Sequence, residues 1–365
     1  MVLDWLARNP RADRSRRYAA AQRAVIDPTS LPDIGSLGVP DKGPTPLLAL
    51  PALAERLEVG EVRVKDESQR FGFGAFKALG GVFAVHEFMA AHKGRRPADF
   101  VFTTASSGNH GRSVAMGAQL VGARCVIFLP RFTSAEKEAA IRARGAEVIR
   151  IDGDYDTAVA ECRRQAGQNG WTIISDTSWP GYETVPRDVM RGYTVLADEI
   201  VRQWPQMPTH VLIQAGVGGL AAALIGYLWA TLPQRPLFVI VEPSSADCWF
   251  QSNLAGKPAS ASGNADTVMG GLACREISPI TWPVIGFGAD WFMTIEEDQV
   301  MPTRQLLGHP LGNDPAIASG PSGCAGLAAL VRLCGNKDAR GAVGLDKDAR
   351  VLLINSEGNL GEGSA

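Results

Sequence analysis

The 365-residue chain has no basic stripe, no acidic tail and no long apolar run. Its 36 lysines and arginines are spread among 38 acidic residues, for a net charge of −2. Nucleic-acid binding would need positive charge gathered on one face, so no nucleic-acid partner is expected. The opening stretch, Met1 to Asn9, carries Asp4 and Arg8 among apolar residues. It lacks the apolar core of a signal peptide. The longest apolar stretch, around Leu220 to Leu232, is glycine-studded and too short to span a bilayer, which takes about 20 residues. No membrane partner is expected. The 6 cysteines, at 125, 162, 248, 274, 324 and 334, form no CxxC pair. Neither a metal site nor a disulfide framework is indicated, and a cytoplasmic location fits. Internal repeats and low-complexity tracts are also missing.

What is present is the makings of a core. Hydrophobic residues are 45% of the chain and charged residues 20%, in a length that suits one large domain or two ordinary ones. Residues 1–46 are rich in Arg, Pro and Gly without a steady period, and are read as an irregular arm. From residue 61, β-rich runs alternate with helical spacing. The runs are Glu61–Lys65, Phe100–Thr103, Cys125–Leu129, Glu147–Ile151, Thr172–Ser175, His210–Gln214, Leu237–Val241, Trp291–Ile295 and Val351–Ile354. Helical segments include Ser134–Arg144, with Ser134 as N-cap, and Gly219–Leu232. Continuous apolar runs such as Val-Ile-Phe-Leu predict strands buried on both faces. The alternation implies an α/β fold with a mostly parallel sheet covered by helices. Ligands of such sheets sit beyond the carboxyl ends of the strands.

The unusual loops fall there. Lys77 is the only lysine or arginine between Arg70 and Lys93, among glycines and apolar residues. Lost hydration would lower its pKa, as a Schiff base to an aldehyde requires; alone, a lysine reaching out to solvent explains it as well. In Ser106-Ser107-Gly108-Asn109-His110, between a strand and a helix, small residues let the backbone approach a flat ligand. Asn109 could donate to a ring oxygen and Ser107 could pass a proton; a plain turn before a helix is the alternative. Gly216-Val217-Gly218-Gly219-Leu220 presents N–H groups at a helix N-terminus, a cradle for phosphate. Gly216, Gly218 and Ala221 also satisfy a dinucleotide fingerprint, with Glu242 as the ribose-binding acid. Ser356, after the last strand, could bond a neutral pyridine nitrogen or lie in an ordinary polar turn. Asp176, with Trp179 and Tyr182 nearby, could be a general acid, a clamp for a cationic group, or a turn residue.

Taken in order, Lys65-Asp-Glu-Ser-Gln-Arg-Phe-Gly with Ala75-Phe-Lys77, Ser107-Gly-Asn-His110, Gly216-Val-Gly-Gly219 and Ser356-Glu-Gly-Asn359 resemble fold-type II pyridoxal-phosphate enzymes. Asp176-Thr-Ser-Trp-Pro-Gly-Tyr182, Ala246-Asp-Cys248, Gly271-Leu-Ala-Cys274, Gly312-Asn-Asp-Pro315 and Ser319-Gly-Pro-Ser-Gly323 are most similar to the diaminopropionate ammonia-lyases. The resemblance runs from about Gly43 to Asn359. It implies a tryptophan synthase β-like fold of two three-layer αβα domains with mostly parallel sheets. Residues 97–201 form a small domain inserted into a large one made of 1–96 and 202–365, and homodimers are usual. It implies pyridoxal 5'-phosphate held by Lys77, the Schiff-base lysine, by Asn109, by Gly216, Val217, Gly218, Gly219 and Leu220, and by Ser356. The substrate, a small amino acid, would meet Ser106, Ser107, Gly108, His110, Asp176 and Tyr182.

The chain departs from that family at Ser107, where an Asp is usual, and at Arg275 and Pro321. Ser106-Ser-Gly-Asn-His110 is similar instead to the serine and threonine dehydratases and serine racemase. The expected reaction is an α,β-elimination. Lys77 takes the Cα proton, Asp176 protonates the leaving amine or hydroxyl with Ser107 or the cofactor phosphate as alternatives, and a 2-oxo acid and ammonia are released. A dehydratase of serine, threonine or a bulkier β-hydroxy amino acid is the second expectation. A nicotinamide oxidoreductase is the third.

Overall fold

Strands and helices alternate as the sequence predicts. The computed structural model describes residues 2–40 and 42–359; Met1, Asp41 and residues 360–365, which the expected large domain includes, lie outside the described residues. In chain order the strands are β1 (Val2–Leu3), β2 (Leu6–Arg8), β3 (Leu47–Ala49), β4 (Glu61–Asp66), β5 (Val101–Ala105), β6 (Arg124–Pro130), β7 (Glu147–Ile151), β8 (Thr172–Ile173), β9 (His210–Gln214), β10 (Leu237–Pro243), β11 (Trp291–Ile295) and β12 (Arg350–Asn355). They form an 8-stranded sheet ordered β1-β2-β11-β10-β9-β12-β4-β3 and a 4-stranded sheet ordered β7-β6-β5-β8. The small sheet is parallel throughout. In the large sheet the run from β11 to β4 is parallel, and β1, β2 and β3 join antiparallel at its edges.

The arm is not irregular from end to end. Leu6 to Arg8 pairs with Met293 to Trp291, and Asn9 Nδ2 donates to the carbonyls of Gly286 and Ala289 at 3.0 and 2.7 Å. The arm thus covers an edge that would otherwise stand open. A strand this short is below the reach of periodicity. The central strands β9 and β11 are buried at every position, which is why their sequences run apolar instead of alternating. Among the described residues no helix is long and apolar enough to cross a membrane.

The helix Lys77–Ala91 lies between the helices Asn109–Val121 and Thr184–Gln203. A glycine inside a helix costs about 1 kcal/mol against alanine, so the glycines here need a reason, and close approach supplies it. A Cβ at Gly80 would overlap the Tyr193 ring, one at Gly81 would overlap Ser113, and one at Gly192 would overlap the Leu79 carbonyl. Gly117 faces Val82 and Val85 less tightly, a Cβ there standing 3.0 and 3.1 Å from them.

Glu242, expected as the ribose-binding acid of the oxidoreductase reading, is turned inward. It is fully buried, and its two oxygens accept the backbone N–H groups of Trp249 and Phe250, each at 2.8 Å. It therefore closes the N-terminus of the helix Cys248–Ala255, and no ribose can reach it. Burial pushes its carboxyl up to about 8 against the pull of those N–H donors. A carboxyl whose pKa rises on folding stabilises fully below its unfolded value, and that contribution is lost as pH climbs toward the folded value. Glu242→Gln keeps one of the two acceptor oxygens and removes the titration. Its melting temperature, relative to the native chain, should rise by several degrees between pH 5 and pH 8 in parallel thermal melts; a gap independent of pH would contradict this.

Candidate active site

The carboxyl edges of the two sheets hold the expected loops. β5 and β8 are parallel neighbours, so the 106–110 loop and Asp176 leave the small sheet side by side. β9 and β12 are parallel neighbours in the large sheet, so the glycine loop and Ser356 also leave together. Lys77 is placed by its backbone surroundings. Phe76 N–H donates to Ser356 O at 3.0 Å, Gly358 N–H donates to Gly74 O at 3.0 Å, and Ala75 bridges to Glu357. The last turn of the chain thereby fixes where the Lys77 helix begins.

From there Lys77 Nζ reaches across to the small sheet and donates to Asp176 Oδ2 at 2.6 Å. The expected fall in the pKa of Lys77 is overturned. Burial, the largest single influence, pushes the ammonium down, but the Asp176 charge and hydrogen bond together with Tyr193 and Cys274 outweigh it, and the net shift is upward. Burial likewise pushes the Asp176 carboxyl up, yet Lys77 and then His110 hold it well below the usual carboxylate range. In this state the pair is ionic. Reading only the sequence neighbours of Lys77 finds the burial and misses a partner 99 residues away.

His110 adds to this pair. Its Nε2 lies 2.9 Å from the Ile174 carbonyl, which assigns the ring hydrogen to Nε2. Burial lowers the pKa of the ring in spite of Asp176. The bare Nδ1 makes no hydrogen bond and stands 3.9 Å from Asp176 Oδ2. A neutral Nδ1 can accept from Asp176 only when the carboxyl carries a proton.

The other expected residues divide. Gln214 Nε2, at the end of β9, donates to Ser356 Oγ at 3.1 Å. Ser356 is buried, and its own hydrogen has no acceptor among the described residues. Asn109 Nδ2 donates to Glu357 Oε2 at 2.8 Å, while its Oδ1 accepts from Arg112 at 3.1 Å. Gly108 N–H donates to Ser106 Oγ at 3.4 Å. Ser107 makes no side-chain hydrogen bond among the described residues. Tyr182 is spent on the backbone, its hydroxyl donating to Ile173 O at 2.7 Å and accepting from Ser175 N at 3.0 Å. Sequence reading missed Gln214, although a polar residue ending an apolar strand was a visible signal. It also missed Ser178 and Ser278, whose hydroxyls lie 3.0 Å apart and tie the Asp176 loop to the segment before the helix Trp282–Gly288.

The glycine loop meets the requirements of a phosphate site. Gly218 has φ +102, a conformation that excludes an ordinary side chain. The loop carbonyls are held by neighbours, Gly216 O accepting from Trp249 Nε1 at 2.9 Å and Val217 O from Ser278 N at 2.9 Å. The first-turn N–H groups of the helix Gly219–Thr231 have no intrahelical acceptors and suit an anion. A buried amine, an N–H cradle and a hydroxyl with a free hydrogen together fit pyridoxal phosphate.

Comparison with known proteins agrees with this chemistry. The pyridoxal-phosphate dependent enzyme pattern matches residues 39–357. The chain is 39% identical over 336 residues to the diaminopropionate ammonia-lyase of Escherichia coli (strain K12), covering 87% of this chain and 84% of that enzyme. The crystal structure of Escherichia coli diaminopropionate ammonia lyase with an aminoacrylate-PLP azomethine reaction intermediate superposes with a TM-score of 0.86 at 36% identity, over 98% of this chain and 94% of that one. The same enzyme in complex with D-serine gives 0.86 at 35% identity, with the same coverage of both chains. The architecture is that of a fold-type II enzyme.

Proposed function

The chain belongs to the pyridoxal-phosphate dependent enzyme family, and from that premise we propose that it removes ammonia from the β-carbon of a small, diaminopropionate-like amino acid, giving a 2-oxo acid and ammonia. It is a lyase, and pyridoxal phosphate is its cofactor. When bound, the cofactor withdraws electrons from the substrate Cα so that its proton can leave. The chain's own residues do the rest. Gly216, Val217, Gly218, Gly219 and Leu220 hold the phosphate, Lys77 holds the aldehyde carbon, and Ser356 meets the ring nitrogen. Asn109 meets the ring oxygen once its amide leaves Glu357. Lys77 Nζ takes the Cα proton. Beforehand Asp176 takes the ammonium proton of Lys77 across their 2.6 Å contact, which leaves the amine neutral as base; Asp176 then gives that proton to the departing amine, with His110 Nδ1 bonding the carboxyl in its protonated form.

The observation that carries this reading is the 2.6 Å contact between Lys77 and Asp176, an ion pair that becomes a base and an acid once the proton passes from Nζ to the carboxylate. Ser107 takes the place where the family's second carboxylate is expected, with Ser106, Gly108 and Tyr182 shaping the wall beside it. One carboxylate serves one face of the substrate, so turnover should favour one enantiomer. Ammonia release from D- and L-diaminopropionate, with D- and L-serine and threonine alongside, checks this. Equal rapid turnover of both diaminopropionate enantiomers contradicts the single-acid reading. Faster turnover of the hydroxy amino acids moves the assignment to a dehydratase, which Ser107 would suit.

Residues 97–201, built on the small sheet, are taken as one domain, and 1–96 with 202–365 as the other. A cytoplasmic homodimer is the expected form, in keeping with six unpaired cysteines.

A further inference from the structure

Tyr193 lies midway along the helix Thr184–Gln203 and is 1% exposed. Its ring packs on Phe76, centroids 4.8 Å apart, and covers Gly80 on one side. On the other it lies 3.5 Å from where a Cβ of Gly219 would stand. It is therefore wedged between the first turn of the Lys77 helix and the phosphate cradle. Lys77 Nζ lies 5.9 Å from its ring centroid and 5.4 Å from that of Phe76.

The hydroxyl of Tyr193 has no hydrogen-bond partner. The contrast is internal to the chain. Tyr18 donates to Ile26 O at 2.7 Å, Tyr182 to Ile173 O at 2.7 Å and Tyr227 to Asp198 at 2.8 Å. An unpaired buried hydroxyl destabilises a fold, and phenylalanine would fill the same space without it. Lys77 Nζ lies over this ring, and Lys77 and Asp176 are the charged groups that act on its hydroxyl.

We propose that Tyr193 is a positioning residue whose hydroxyl oxygen accepts a hydrogen from Lys77 Nζ at the stage when Asp176 cannot. The inference rests on the elimination reading. Lys77 carries the Cα proton as an ammonium while Asp176, to act as acid, must be a neutral carboxyl. For that interval the ammonium loses its counter-charge in a buried place. The Tyr193 oxygen and the faces of Tyr193 and Phe76 are what remain to hold it. No bond other than Cα–H to Nζ–H changes in this step, and Tyr193 keeps its own proton.

Tyr193→Phe in the holoenzyme tests this. The expected result is a kcat lowered about 10–100-fold, the loss of one hydrogen bond to a charged group, with substrate KM and cofactor affinity little changed. The limb of the kcat profile set by Lys77 should move to lower pH, because its ammonium is less well held; Asp176, His110, Tyr155 and Cys274 are the other titrating groups that act on Lys77. The cofactor-free variant should melt no lower than the native chain. Exchange of the serine Cα hydrogen for deuterium reads the Lys77 step alone, and should slow in parallel. Unchanged kcat and exchange would overturn the proposal. So would a fall in melting temperature that tracks the loss of activity, or weaker cofactor binding at unchanged kcat, which would make the hydroxyl a phosphate contact. A native enzyme that exchanges Cα hydrogen yet releases no ammonia from any substrate would sink the elimination reading instead.

Discussion

Lys77→Ala should abolish ammonia release and the visible absorbance of bound cofactor together. In the proposed mechanism one nitrogen both holds the cofactor carbon and takes the Cα proton, and base catalysis alone contributes roughly 10²–10⁴-fold. The variant also leaves Asp176 without its partner. In a fully buried pair that costs about 3–5 kcal/mol; here the two side chains keep 19% and 20% of their surface, so the cost is smaller. Lys77→Arg separates the effects. Its guanidinium keeps the charge against Asp176 and the fold with it, but cannot lose a proton near neutral pH. Arginine at 77 should melt near the native temperature and be as inactive as alanine. Turnover by either variant, measured as ammonia release, would remove Lys77 from the mechanism.

Asp176→Asn should divide two quantities that a merely structural change would move together. The amide keeps the size of the side chain and removes its charge. Burial, the largest influence on the Lys77 ammonium, then acts unopposed by its strongest partner and lowers the pKa. More of the amine is neutral at pH 7, so the cofactor-free variant should capture pyridoxal phosphate faster than the native chain. The acid that protonates the leaving amine is gone, so kcat should fall about 10²–10⁴-fold. Stopped-flow cofactor association and steady-state turnover read the two separately. Slower capture together with slower turnover would mean that Asp176 only supports the fold.

The parts of this molecule that were legible in its sequence are those whose signal is local. The runs at 147–151, 210–214 and 291–295 are strands with the expected bounds; the last two are buried on both faces and accordingly mostly apolar. The turn at 216–219 was visible from its glycines, and Gly218 takes φ +102 there, but its sequence left a phosphate cradle and a dinucleotide fingerprint both open. What escaped depends on partners distant in sequence. Leu6 to Arg8 becomes a strand only because the 291–293 segment offers it an edge. Glu242 stood where a ribose acid would stand, and only the N–H groups of Trp249 and Phe250 turn it inward. Asn109 carries the right amide, which Glu357 engages here. Tyr193 reads as an ordinary core aromatic on a helix, and nothing short of its empty hydroxyl distinguishes it.

The interlocking of the Lys77 helix with its two neighbours has a bearing on how this enzyme can vary. Gly80, Gly81, Gly117 and Gly192 let three backbones touch, and Lys77 is the first residue of the middle one. A methyl group at Gly80, Gly81 or Gly192 would prise the rods apart and swing the amine off target by a fraction of its reach. Random mutagenesis scored for ammonia release should therefore find sterile positions here. Drift in specificity is left to the loops, while the seat of the lysine stays frozen.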